Sequence, residues 1–176
     1  MDEDLIEKLR HHDILAQELF YKKYANKMFR ICYRYIGNEV ETSEILNDGF
    51  YKVFVQIRSF REGGIQGLIA WMSKIMVNEC LQCIRMRKKI LFVNETEALA
   101  EQSLIMPDEQ IVAEDYYELI RQLGDSYRIV FNLFVMEGYS HKDISKMLNI
   151  PENTSRSFLL RARLELKRKI EKKLLL

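Results

Sequence analysis

The sequence predicts an all-α protein with two small helical domains, a flexible acidic linker between them, and a helix-turn-helix in the second domain. The 176 residues include only seven glycines and two prolines, which leaves little material for strands and hairpins. Apolar residues recur at three- and four-residue spacing along most of the chain, as on one face of a helix. This periodicity fades where acidic residues accumulate. We therefore predict domains at residues 1–90 and 109–176, joined by a linker at 91–108.

The first domain opens with two predicted helices. The apolar pattern of the first runs over residues 13–36, and Gly37 and Asn38 end it because both tolerate positive φ. The second helix is expected to begin near Thr42 or Ser43, since either side chain is a suitable N-cap.

A glycine-rich loop and a third helix complete the first domain. Residues 59–67 hold three of the seven glycines and are predicted to form a loop. The third helix is expected over residues 68–89, and it ends in cations that suit the negative end of the helix dipole.

Helical periodicity returns after Pro107. One helix is predicted up to Leu123, where Gly124 interrupts the pattern, and another over residues 127–136. The segment that follows begins at Ser140, an N-cap with Asp143 three residues on in a capping-box arrangement.

A short turn at residues 149–151 separates the last two predicted helices, and Ile150 is expected to fill the space between them. The final helix continues to about Glu171. Its inward side chains are predicted to be Ser155, Leu159, Ala162 and Leu166. This layout is that of a helix-turn-helix, whose second helix enters the major groove of DNA. An ordinary helical hairpin in a bundle is the structural alternative.

The charge distribution favours a nucleic-acid partner although the net charge is only +1. Residues 90–118 contain eight acids and no Lys or Arg, whereas residues 151–173 contain eight cations and three acids. Such asymmetry is typical of a local phosphate-binding surface. A merely solvated helix face would give the same composition.

Enzymatic and metal chemistry have no support in the sequence. There is no phosphate-binding glycine loop, metal-ligand cluster or nucleophile–histidine pattern of recognisable spacing. The chain has an odd number of cysteines, and its sequence shows no export signal. We therefore predict buried or half-buried thiols, rather than disulfides or a metal site, at Cys32, Cys80 and Cys83. No cofactor is expected. Short apolar runs and an acidic N-terminus predict a cytoplasmic protein without membrane insertion.

Three segments resemble extracytoplasmic-function (ECF, group IV) sigma factors of the sigma-70 family. Residues 137–163 (EGYSHKDISKMLNIPENTSRSFLLRAR) resemble region four, which reads the upstream (−35) promoter element. Residues 42–54 (TSEILNDGFYKVF) resemble the region-two helix that docks on the polymerase clamp. Residues 70–85 (AWMSKIMVNECLQCIR) resemble the helix that faces the melted −10 element. The segments follow one another in the family's order.

The resemblance implies a sigma factor that directs RNA polymerase to promoters. Its implied partners are core RNA polymerase, through the β′ clamp and the β flap, and promoter DNA. An anti-sigma factor or another recruiting protein is a further candidate partner. The linker would follow the family's path toward the RNA channel, although a solvated spacer fits its composition equally.

The resemblance also assigns residues to three surfaces. For the upstream element they are Asn153, Thr154, Ser155, Arg156, Ser157, Phe158, Leu160, Arg161, Arg163 and Lys167. For the −10 region they are Phe60, Arg61, Gln66, Trp71, Lys74, Asn78, Arg85, Arg87 and Lys88. For the polymerase they are Glu44, Asn47, Asp48, Phe50 and Tyr51.

The last helix departs from the family at Phe158 and Leu160, which occupy positions that are usually polar or basic. Helical stepping turns Leu160 and Leu164 away from the predicted core, where they would meet thymine methyls, a protein partner or a neighbouring helix. Leucines make no bidentate contacts to bases. We therefore hypothesise weak base readout at the upstream element. A diverged adaptor, or a helix-turn-helix regulator that does not bind polymerase, is the alternative function.

Overall fold

The computed structural model describes residues 2–61, 63–87 and 113–174 of the chain. They divide into two compact units, Met1–Lys89 and Ile90–Leu176. Within the described residues every regular element is a helix or helical turn and no strand occurs, so the predicted all-α fold is confirmed. The predicted linker at 91–108 lies outside the described residues.

The described residues of the first unit form four helices and one 3-10 turn. They are α1 (Asp2–Arg10), α2 (Ile14–Ile36), α3 (Glu39–Gln56), the turn Ile57–Ser59 and α4 (Gly64–Arg87). Helices α2, α3 and α4 pack on one another, and α1 packs against α2 and α4. The large, fully buried side chains of the first unit include Phe20, Met28, Tyr35, Phe50 and Met72. The exposed faces of α3 and α4 are held in position by this common core.

Helices α3 and α4 approach each other closely at Gly49. A Cβ at that position would lie 2.3 Å from the sulfur of Met76, whose side chain is itself fully buried. One turn further along, Lys52 Nζ donates to Glu79 Oε2 at 2.6 Å. The missing side chain and the ion pair together fix the spacing of the two helices.

The start of α3 differs from the sequence prediction. Gly37 ends α2 in the left-handed conformation as predicted, but α3 already begins at Glu39. Asn38 is its N-cap and accepts a hydrogen bond from the backbone N–H of Glu41. Thr42, one of the two predicted caps, is buried, and its hydroxyl donates to the carbonyl of Asn38.

The glycine-rich loop is also shorter than predicted. Helix α4 begins at Gly64 rather than Leu68, because the N–H of Gly67 already donates to the carbonyl of Gly63 at 2.8 Å. Gly63, with φ of 118°, takes a backbone conformation that other residues rarely adopt.

The second unit is described from residue 113 onward. This part contains α5 (Ala113–Arg121), α6 (Asp125–Phe131), a π-helical turn (Asn132–Met136), α7 (His141–Leu148) and α8 (Glu152–Leu174). The predicted break between the first two helices is present at Gly124. Arg128 joins their ends, since its Nη1 donates to the carbonyls of Arg121 and Leu123 and its Nη2 pairs with Asp125.

The helix-turn-helix follows the predicted layout. Ser140 caps α7, and Asn149 ends it with φ of 54°. Ile150 is buried, and its carbonyl accepts a hydrogen bond from the Ser145 hydroxyl. All four side chains predicted to point inward from the last helix are buried, namely Ser155, Leu159, Ala162 and Leu166.

The cysteines are free thiols in the core of the first unit. Cys32 and Cys80 are buried and Cys83 is half-buried, as predicted. A hydrogen bond with the neighbouring Cys32, together with burial, raises the pKa of the Cys80 thiol well above its ordinary value. In the described part of the chain, no group of His, Cys, Asp and Glu residues is arranged to hold a metal ion. None of its helices is long and apolar enough to cross a bilayer.

Candidate polymerase and nucleic-acid interfaces

The outer face of α3 exposes most of the residues that the sequence assigned to polymerase binding. Glu44, Asn47, Asp48 and Tyr51 are exposed, and Tyr51 keeps 70% of its surface accessible. The amide oxygen of Asn47 accepts a hydrogen bond from Tyr21 on α2. This face therefore carries carboxylates beside a large aromatic ring.

Phe50 does not belong to that face, which corrects the assignment. Its side chain is 2% exposed and contacts the rings of Tyr21, Phe20 and Phe54, with centroid separations of 4.6, 6.4 and 5.9 Å. Sequence reasoning missed two exposed apolar residues of the same helix, Val40 and Val55. Their four-residue spacing from Glu44 and Tyr51 was the available signal.

The outer face of α4 is polar and carries positive charge. Lys74, Asn78 and Arg85 are exposed as the −10 assignment requires, and Gln82 lies between the last two. The spacing of four, four and three residues puts all of them on one helix face. The side chains of Arg87 and Lys88, also assigned to the −10 region, lie outside the described residues.

The loop before α4 separates into a buried anchor and an exposed tip. Phe60 is 7% exposed and packs on the half-buried Trp71, with ring centroids 5.8 Å apart. This corrects the assignment of Phe60 to a DNA contact, and it shows that the ring of Trp71 packs against the loop. Arg61 in the loop and Gln66 in the first turn of α4 are both exposed.

The first turns of α8 present a small polar surface. Asn153 and Arg156 are exposed, and Thr154 is half-buried. Ser157 is half-buried too, and its hydroxyl donates to the carbonyl of Asn153. Further along, Lys167 is exposed. Asn and Arg are side chains that make bidentate contacts to adenine and guanine edges in the major groove.

Two residues assigned to the upstream element are buried instead. Ser155 is fully buried, and its hydroxyl lies 2.8 Å from Nδ1 of His141, which stacks on Phe134 at 4.4 Å. Phe158 is 4% exposed and meets the ring of Tyr127 edge-on at 5.6 Å. Neither side chain is exposed on α8, so neither is available to contact DNA. His141 had no sequence signal, because only the fold brings it to Ser155.

The remaining assigned residues of α8 are partly covered. Arg161 is half-buried and its Nη1 donates to the hydroxyl of Tyr127 at 3.3 Å, and Arg163 is half-buried as well. Leu160 and Leu164 are also half-buried. The two leucines are therefore neither fully exposed nor fully packed against a neighbouring helix.

Replacing Ser140 by alanine is expected to raise the pKa of Asp143. That pKa is held below its ordinary range chiefly by hydrogen bonds from Ser140 to the carboxylate, one of which spans 2.6 Å. Since the folded-state pKa is lowered, the stabilisation is present above the unfolded-state pKa and is lost as pH falls through the folded-state value. An NMR pH titration of Asp143 in both proteins measures the shift.

The matched control for this prediction is Ser157→Ala, because that hydroxyl donates to a carbonyl within α8. It should leave the pKa of Asp143 unchanged. The difference in melting temperature between the parent and Ser140→Ala should also shrink in acid. An Asp143 titration that Ser140→Ala leaves unmoved would contradict the capping arrangement.

Comparison with protein families matches both units. The family model described as sigma-70 region 2 matches residues 20–90, and that described as sigma-70, region 4 matches residues 113–166. The chain belongs to the sigma-70 family. It is therefore an RNA polymerase sigma factor, with the two DNA-binding regions in the order that the sequence predicted.

Relatives of this sigma factor include the ECF RNA polymerase sigma factor SigW of Bacillus subtilis. The two are 28% identical over 160 residues, which covers 84% of each chain. Its sigma-70 regions together with relatives of this kind make it an ECF-type factor.

The fold is similar to two solved structures. One is that of CnrH in complex with the cytosolic domain of CnrY, with a TM-score of 0.53 and 14% identity over 97% of both chains. The other is the sigma factor RpoE in complex with the anti-sigma factor NepR from Bartonella quintana, with a TM-score of 0.52 and 18% identity. It covers 88% of this chain and 96% of that one.

Proposed function

We propose that this sigma factor is a group IV member that binds core RNA polymerase through α3 and promoter DNA through α4 and α8. The observation that carries the proposal is the separation of charge among the exposed faces. The outer face of α3 presents carboxylates and apolar groups, whereas those of α4 and α8 present cations beside amides. The protein would act in the cytoplasm, where core polymerase transcribes.

The polymerase contact is proposed to be made by the outer face of α3. Glu44 and Asp48 supply negative charge, and Tyr51 is a large exposed ring of the type that dominates binding energy at protein interfaces. The only cation of α3, Lys52, is paired with Glu79, so it does not offset that charge. This composition suits a basic, partly apolar surface, such as the β′ clamp that the family uses.

The −10 contact is proposed to combine the α4 face with the loop before it. Lys74 and Arg85 would contact phosphates, which position a protein on DNA without reading its sequence. Asn78 and Gln82 offer amide groups between them. Promoter opening would come from trapping unpaired bases, whose edges are read by hydrogen bonds in a pocket. No covalent bond is made or broken.

The upstream contact is proposed to use the first turns of α8. Because Ser155 and Phe158 are buried, the side chains proposed to contact bases are those of Asn153, Thr154 and Arg156. So small a set supports the hypothesis that the upstream element is read weakly, with the β flap and the −10 contact adding affinity. A mutational scan of the promoter that found strong base preference upstream would contradict it.

Holding both units on polymerase makes the second DNA contact effectively intramolecular, so neither unit needs strong affinity alone. The cations of α8 set the salt dependence of this contact. Five of them, Arg156, Arg161, Arg163, Lys167 and Arg168, correspond to a log–log slope of about −4 for the upstream contact.

Replacing Lys167 and Arg168 together by alanine is expected to reduce the salt slope of promoter binding by about 2. Both side chains are exposed on α8. Titrations of holoenzyme against a fluorescent promoter duplex at several salt concentrations measure the slope. The control is the Lys22→Ala and Lys23→Ala double variant, which removes two exposed cations of α2 and should not change it. Equal slopes for both variants would contradict the proposed role of α8.

Run-off transcription on a promoter library, with purified core polymerase and this sigma factor, tests the proposed function. Transcripts that start downstream of one sequence class would support it. Size-exclusion chromatography separates the alternatives, since a helix-turn-helix regulator need not co-elute with core polymerase. A diverged adaptor would co-elute only when another protein is added. An anti-sigma factor stays a candidate partner, in analogy to the RpoE–NepR complex.

A further inference from the structure

Helix α1, which sequence analysis did not predict, holds the loop that precedes α4. The guanidinium of Arg10, the last residue of α1, donates from Nη2 to the carbonyl of Phe60 at 2.8 Å. The same nitrogen lies 3.4 Å from the carbonyl of Arg61. Two successive backbone carbonyls of the loop are thus bound by one side chain fifty residues away.

The contact is reciprocal. Arg58, in the 3-10 turn that leads into the loop, donates from Nε to the backbone carbonyl of Arg10 at 3.2 Å. The carboxylate of Glu7 lies 3.4 Å from Nη1 of Arg10 and orients the guanidinium from the other side. The hydrogen bonds of the two arginines together attach the end of α1 to the start of the loop.

Helix α1 is itself firmly seated. Leu9 is fully buried and Ile6 is buried, so the apolar face of α1 fixes where its C-terminal end lies on the unit. Arg10 is half-buried, with 32% of its side chain accessible, which strengthens its hydrogen bonds relative to those of a fully hydrated arginine. The packing of α1 therefore holds the Arg10 guanidinium in a defined position.

The loop turns into α4 at a glycine whose conformation and surroundings leave no room for a side chain. Gly63 has φ of 118°, and a Cβ there would lie 3.0 Å from Cα of Gly67. Phe60 anchors one end by packing on Trp71. Between these points Arg10 fixes the carbonyls of Phe60 and Arg61, and thereby the direction in which the exposed Arg61 side chain leaves the loop.

We propose that Arg10 is a positioning residue for base recognition at the −10 element, acting through the loop that carries Arg61 and leads into the first turn of α4, where Gln66 lies. This inference rests on the proposed function, in which that loop contacts an unpaired base. Arg10 itself does not touch DNA. It sets the loop backbone so that the exposed groups meet the base without a cost of ordering the loop on binding.

The experiment measures base discrimination by holoenzyme. Core polymerase with the parent chain, Arg10→Ala or Arg10→Lys is incubated with short single-stranded oligonucleotides randomised over the −10 element, and the bound pool is sequenced. We expect Arg10→Ala to lower the preference at one position by about tenfold, the factor that corresponds to one hydrogen bond from a charged donor. Arg10→Lys should retain part of the preference, because its ammonium keeps the charge but lacks the planar fork of donors.

Lys8→Ala is the matched control. It removes a cation from the same helix, but Lys8 pairs with Asp4 rather than with any described residue of the loop. Thermal melting and affinity for core polymerase are recorded for every variant. If Arg10→Ala unfolds the chain, the base preference measured with Arg10→Lys alone tests the inference. A preference retained in both Arg10 variants, or one lowered equally in Lys8→Ala, would overturn the inference.

The parent protein separates this inference from the proposed function. If parent holoenzyme shows no base preference on the oligonucleotides, the proposed base capture by the loop is wrong, and the proposed role of Arg10 is wrong as well. If the parent shows a preference that the Arg10 variants keep, only the role of Arg10 is wrong.

Discussion

Replacing Phe158 by alanine is expected to destabilise the second unit by about 3–5 kcal/mol, the range for large aromatic truncations in a core. The side chain is 4% exposed and contacts Tyr127, so its removal leaves a cavity between α8 and α6. Chemical denaturation followed by circular dichroism measures the free energy of unfolding. Since so small a unit is only marginally stable, most of the variant should be unfolded in this unit at physiological temperature.

Leu160→Ala is the control for this prediction. Leu160 lies two residues further along α8 and is half-buried, so the same kind of truncation should cost much less. If Phe158 contacted a base, its variant would keep the parent's stability and lose only promoter affinity. That result would restore Phe158 to the DNA-binding surface and contradict the packing described above.

Replacing Tyr51 by alanine is expected to weaken binding to core polymerase by about 30-fold or more, as for an aromatic anchor at an interface centre. Tyr51 is 70% exposed, so its loss should leave the melting temperature of the first unit nearly unchanged. Fluorescence titration of labelled sigma factor with core polymerase gives the affinity.

Leu19→Ala is a suitable comparison, because Leu19 is another large exposed apolar residue, on α2. It lies outside the surface assigned to polymerase and should bind like the parent. Equal weakening by both substitutions, or no weakening by Tyr51→Ala, would place the polymerase contact elsewhere.

The sequence predicted the helix-turn-helix well because its signals are local. The Ser140 cap and the buried Ile150 occupy single positions within one short segment. The four inward residues of α8 follow from helical spacing alone. Burial of Phe158 did not follow, because it lies about 60° from Ser155 around the helix, at the edge of the apolar stripe. Whether that edge is covered depends on α6, which the spacing along α8 does not reveal.

Two parts of the first unit were missed for similar reasons. The acidic opening of α1 hid a helix whose apolar face, with Ile6 and Leu9, becomes recognisable only where it packs on α4. Asn38 was taken to end α2 but also caps α3, so the two helices share a shorter connection than predicted. Arg10 was not among the assigned residues, because its bonds to the loop join positions fifty residues apart.

The close approach at Gly49 has a consequence for how such a protein could diversify. Lys74, Asn78 and Gln82 are exposed on the outward side of α4, so single substitutions there should change that surface without disturbing the packing against α3. A larger residue at position 49 would displace the buried side chain of Met76 from between the two helices. If the outward side of α4 contacts the promoter as proposed, target choice can change there without altering the packing against α3, whereas a larger residue at position 49 alters that packing.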